Sequence, residues 1–264
     1  MHRKIVPLVL TILFSATILA SGQQVSAPIP DSIKAQHKTL FSRYFSGTKN
    51  IEQETLDGHD VDTTVGLDSY SMTDPEAMRE ARRNPYPNIN LRGISCDADT
   101  VVIATPTSAE ADTTADGGGL FTDYRFQVES VQKNMDATKL ANSSIIVTRP
   151  GGQTTVNGRN VRVEIRDFPL FVIGHRYLLF LGHLKATDTF EAFEVGSFEL
   201  TNGSVAPFKT NTFGQFSIPS LSNESAFLAE VRAAIAAPCT HHFSFVLGMS
   251  DVRSKEFGGA GDES

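Results

Sequence analysis

The chain has 264 residues, 20% of them charged, and a formal net charge of −7. An acidic chain with no basic run lacks the clustered Lys and Arg that phosphate-backbone binding needs, which argues against a nucleic-acid partner. Beyond the amino terminus no apolar stretch reaches the roughly 20 residues of a membrane span, so no membrane span is expected in the processed chain and it should be soluble.

The amino terminus reads "MHRKIVPLVLTILFSATILASG": basic Arg3 and Lys4, an apolar run from Ile5 to Leu19, then small Ala20, Ser21 and Gly22. That order predicts a signal peptide over residues 1–22, cleaved after Gly22, and hence a secreted or periplasmic protein. The run carries Pro7 and no cysteine follows it, so neither a membrane anchor nor a lipid anchor is indicated. Losing Arg3 and Lys4 takes the charge from −7 to −7 − 2 = −9.

Residues 28–95 are polar and carry scattered prolines ("APIP", "NPYPN") with little period-2 alternation. They read as a poorly structured arm or linker holding one short helix at "TDPEAMREARRN", opened by Thr73 or Asp74 with Pro75. From Thr100 the pattern turns to strands. "TVVIATPTSAEA" is an apolar run ending in turn formers, and "DYRFQVESV" alternates, with Tyr124, Phe126 and Val128 on one face. The "DGGG" between them suggests a hairpin loop, because a strand and not a helix follows it.

"SSIIVTRPGGQTTVNGRNVRVEIRD" predicts strand, turn, strand, hairpin, strand, with Asn157-Gly158 as the hairpin turn. Val161, Val163 and Ile165 face one way, and Arg162, Glu164 and Arg166 the other. "VIGHRYLLFLGHL", residues 172–184, holds two histidines around an apolar centre. On a strand His175 and His183 stand about 26 Å apart, at about 3.3 Å per residue, and so cannot share one ligand. Tyr177, Leu179 and Leu181 lie on one face and Leu178 and Phe180 on the other, the mark of a strand buried on both sides. It is expected to be the central core strand, with Gly174 and Gly182 at its ends and its histidines at the rim. "TFEAFEVGSFEL" and "VAPF" are further strands. "SNESAFLAEVRAAIAA" is an amphipathic helix with Phe227, Val231 and Ile235 in its stripe, stopped by Pro238. Residues 240–264 end in a disordered tail. The expected fold is mainly β: one small antiparallel barrel over residues 96–239, closed by the helix.

The chemistry-bearing residues form only weak constellations. Cys96 and Cys239 are the two cysteines, and in an oxidising compartment they most simply make one disulfide, closing a loop of 239 − 96 = 143 residues. A zinc site at Cys239, His241 and His242 lacks the usual ligand spacing. "DGHDVD" brings His59, Asp60 and Asp62 together as metal-friendly donors, in a segment that also reads as a solvated acidic loop. No nucleophile elbow and no H-E-x-x-H motif is present, so no catalytic or cofactor-binding residue is assigned and no cofactor is expected.

"ADTVVIATPTS", "TDYRFQVESVQKN", "SIIVTRPGG" and "VIGHRYLLFL" follow one another in an order that resembles uncharacterised exported bacterial domains. These are similar to the OB-fold barrel of the netrin and tissue-metalloproteinase-inhibitor group. The resemblance spans roughly Cys96 to Leu200, and its distinctive element is the Gly-x-x-Tyr-Leu-x-Phe-Leu spacing. Where that group carries Lys-Gly after the second strand, this chain has Lys133-Asn134. The group's inhibitors insert a free amino-terminal cysteine into a protease, whereas Cys96 lies deep in the chain. The resemblance implies an exported binding or interaction module with an extracellular ligand or protein partner. An extracytoplasmic metal-dependent hydrolase built on His59, Asp60, Asp62, His241 and His242 is the alternative, and a protease inhibitor the third.

Overall fold

The computed structural model describes residues 27–42, 50–65, 90–134, 140–166, 168–208 and 223–239. The expected signal peptide, the helix expected near residue 75, His241, His242 and the expected tail lie outside the described residues. In chain order the elements are α1 (Asp31–Ser42), α2 (Ile51–Leu56), β1 (Val61–Val65), α3 (Leu91–Asp97), β2 (Thr100–Thr113), β3 (Leu120–Asn134) and β4 (Ser144–Pro150). There follow β5 (Gly152–Val156), β6 (Arg159–Ile165), β7 (Arg176–Leu184), β8 (Thr189–Thr201), β9 (Ser204–Pro207) and α4 (Glu224–Ala236).

Five strands close a barrel in the order β4-β3-β2-β7-β8. Their pairings are antiparallel until β8 returns beside β4 in parallel, through Val147↔Phe190 and Thr148↔Glu191. β2 and β3 run for 14 and 15 residues, too long to stay flat. Register shifts at Val101/Val102, Ile103/Ala104 and Pro106/Ser108 bend them around the barrel, the usual work of bulges. β9 extends β8 as a hairpin. A second sheet, β1-β6-β5, stands at one side. Its β5–β6 turn is the expected Asn-Gly hairpin, with φ of 50° at Asn157 and 75° at Gly158.

β7 is buried on both faces, as its doubled apolar pattern predicts. Tyr177, Leu179 and Leu181 point into the barrel with Val102, Tyr124, Phe126 and Val147. Leu178 and Phe180 point outward into a second core with Phe198, Ile94 of α3, and Phe227 and Val231 of α4. Gly182 does not end the strand: β7 continues through His183 to Leu184, paired with Phe190 and Thr189. Asn223 caps α4, accepting from the Ala226 amide at 3.0 Å. Just past the helix, Cys239 bonds Cys96 of α3 with the Cα atoms 5.6 Å apart, so the disulfide joins the two helices of this outer core.

Residues 28–65 supply three elements: two helices seated on the barrel and the β1 strand of the second sheet. His37 and Phe41, four apart on α1, are both fully buried and lie against Phe121 of β3. His37 Nδ1 is 2.8 Å from Asp123 Oδ1 on β3, and Nε2 is 2.9 Å from Thr189 Oγ1 on β8. That imidazole therefore reaches across the β4 seam where the barrel closes. Lys34 pairs with Glu110 and Lys38 with Asp112 on the flanking strand. Asn50 caps α2 while Ile51 donates to the Gly117 carbonyl at 2.7 Å, tying α2 to the β2–β3 turn. β1 runs parallel to β6 in the register Val61↔Val161 to Val65↔Ile165.

One end of the barrel is stoppered by the segment between β6 and β7. Phe171 enters among Tyr124, Phe126, Tyr177 and Phe208, with ring centroids 5.0–5.2 Å away. Among these rings burial pushes the Tyr177 hydroxyl up to about 12, and Tyr124 moves the same way for the same reason. Because the folded state keeps the Tyr177 proton after the unfolded chain has lost it, this stability is fully present below about pH 10. It falls by about 1.4 kcal/mol per pH unit as pH rises from there toward the folded value. Denaturant midpoints measured across this alkaline range should drop more steeply for the wild type than for Tyr177→Phe; parallel curves would contradict the assignment.

Candidate functional site

Those of the residues singled out in the sequence that are described do not converge. Asp60 accepts from the Asn160 amide at 3.0 Å, which pins the start of β1 to the β5–β6 hairpin. His59 is exposed and stands 3.7 Å from Glu54. Asp62 lies on β1 in register with Arg162 of β6, so a cation is its strand neighbour. Among the described residues no three His, Cys, Asp or Glu side chains gather in a metal-holding group. His175 pairs with Glu199 at 2.7 Å and His183 with Asp188 at 2.9 Å, two separate rim contacts. Cys96, being bonded to Cys239, offers no thiol.

Sequence reading missed Asp123, His37 and Thr189, which line up as carboxylate, imidazole and hydroxyl. That order can activate a nucleophile when a substrate reaches the hydroxyl. Here His37 is 0% exposed and Asp123 and Thr189 1%, beneath α1. The set is sealed and acts as a fastening between helix and barrel.

A cleft does open at the margin of the second sheet. β6 turns its alternate side chains Arg162 and Glu164 outward, and Arg166, just past its end, is exposed as well, while Val161, Val163 and Ile165 go to the core. The chain then doubles back, the Phe168 amide donating to the Ile165 carbonyl at 3.1 Å. Arg149, at the end of β4 and 0% exposed, holds this return in place. Its guanidinium carbon stands 4.0 Å above the Phe168 ring, and its N–H groups donate to the carbonyls of Pro150, Phe168 and Pro169. The next turn is equally constrained. Gly151 has φ +82°, and a side chain there would meet the Val163 carbonyl at 2.8 Å, so only glycine carries β4 into β5 so close to β6.

The space left between sheet and return is a cleft of about 410 Å³. Arg149, Arg162, Arg166, Glu164 and Thr64 supply its polar wall, and Ile165, Phe168, Pro169 and Leu170 its apolar wall. Arg162 pairs with Glu164, both half-exposed. Arg166 makes no side-chain hydrogen bond or ion pair among the described residues. The outward Arg162 and Arg166 were visible in the alternation. Arg149 sat in a turn motif, and nothing local announced that it would lie under the same cleft. No family model matches the chain, and no curated protein matches it in sequence.

Proposed function

We propose that the protein is an exported, soluble binding module built on an OB-type barrel, with its ligand seat in the cleft beside β6 and not inside the barrel. The observation that carries this reading is the pairing of a barrel stoppered by Phe171 with a neighbouring cleft of about 410 Å³, within the range of small-molecule sites. The closed five-strand order with one parallel seam supports the OB-type assignment. Fold alone does not choose a ligand. Export is supported by the signal-peptide pattern of the sequence at residues 1–22 and by a disulfide of the kind that persists in oxidising compartments.

The test is a fragment screen by amide chemical shifts on the processed chain, with neutral and charged compounds. At least one class should move the amides of Thr64, Ile165 and Leu170, and the response should vanish in Thr64→Trp, which fills the cleft from exposed β1. If no compound moves those amides, or if the filled variant responds like the wild type, the module has no seat there.

A further inference from the structure

We infer that the cleft takes a small amphiphilic anion: a phosphate, sulfate or carboxylate head on a compact apolar body. This rests on the binding-module reading above and specifies its ligand. The described polar wall holds three arginines against one glutamate, on a chain whose overall charge is −7. A local positive field on an acidic protein draws small anions, while the surrounding charge repels extended polyanions such as nucleic acid.

The three arginines have different parts. Arg149 is committed to the carbonyls of Pro150, Phe168 and Pro169, so it contributes fixed charge beneath the seat. Arg166 is exposed and has its planar fork of donors to offer to an oxyanion, the geometry that suits phosphate, sulfate and carboxylate. Arg162 pairs with Glu164 where both are half-exposed. Water-exposed pairs of this kind are weak, so Arg162 can turn to a ligand at little cost. The Thr64 hydroxyl, across the register from Glu164, adds a neutral donor. The opposite wall, Ile165, Phe168, Pro169 and Leu170, is apolar and would cover a ring or short chain. A bare inorganic anion leaves that wall wet, and a neutral apolar compound leaves the arginines unused.

The probe is phenyl phosphate, titrated into the processed full chain at low salt and followed by calorimetry and by the Thr64, Ile165 and Leu170 amides. Inorganic phosphate and benzyl alcohol serve as the two halves of the ligand. Phenyl phosphate should bind more tightly than either half, and added salt should weaken it. Arg162→Gln/Arg166→Gln should lower its affinity roughly tenfold or more, as expected for loss of charge-assisted bonds. Both residues are solvent-facing, so the variant's circular dichroism and melting should match the wild type. Equal affinity in wild type and variant overturns the inference, as does failure of phenyl phosphate to move the cleft amides. If neutral fragments occupy the cleft and phenyl phosphate does not, the ligand class is wrong while the module reading stands. If nothing binds there, both fall.

Discussion

Breaking the Cys96–Cys239 bond is expected to lower stability by about 5 kcal/mol in the chain-entropy model, because its loop spans 143 residues. The loop contains every barrel strand, and the bond joins two helices of one core. Leu91 and Ile94 of α3 and Phe227 and Val231 of α4 are all buried against Leu178, Phe180 and Phe198. With the bond cut, α4 is held by that apolar face and by polar ties at its two ends: Glu224 to Arg176 and to the Gly203 carbonyl, and the Pro238 carbonyl to Arg92. A helix of 13 residues has little stability of its own. Losing it would expose the outer face of β7, so the cost extends past the helix. Urea midpoints of the wild type with and without reductant, and of Cys96→Ser/Cys239→Ser, should agree in showing the loss. A midpoint that does not move would show that the outer core holds α4 unaided.

The second large effect is expected from His37→Ala, at about 3–5 kcal/mol, the usual consequence of removing one partner from a buried pair. Asp123 is 1% exposed, and its Oδ2 has no hydrogen-bond partner among the described residues, so His37 is what satisfies the carboxylate through Oδ1. Truncating the imidazole leaves both oxygens dry and also empties space against Phe41 and Phe121. Asp123→Asn carries no charge to strand, so in a double-mutant cycle the histidine change should cost much less on that background. Equal cost on both backgrounds would mean that the pair contributes packing alone.

The barrel was legible because its strands report themselves locally. Tyr124, Phe126 and Val128 alternate with Arg125, Gln127 and Glu129, and Asn157-Gly158 announces a hairpin. The doubled apolar pattern of β7 even foretold a second covered face. α1, α2 and β1 were not legible, for reasons of number and distance. α1 buries His37 and Phe41, and α2 Ile51 and Thr55, too few residues for a periodic signal, and half of them polar. β1 pairs with residues one hundred positions on, as Val61↔Val161 shows, and no local pattern encodes such a partner. The candidate site was half legible. Alternation placed Arg162 and Arg166 on one face, but the cleft exists only because Arg149 grips the carbonyls of Phe168 and Pro169.

The seam between β4 and β8 has a bearing on the order in which the chain can assemble. It rests on two residue pairs in parallel, joining segments 190 − 147 = 43 positions apart, so its closure is non-local and thinly bonded. The imidazole that bridges it comes from α1, the segment made before any barrel strand. In a chain that emerges amino terminus first, the clasp is present before there is a seam to fasten. Barrel closure is then a docking onto a waiting histidine, and a chain trimmed ahead of residue 50 would have to close its barrel bare.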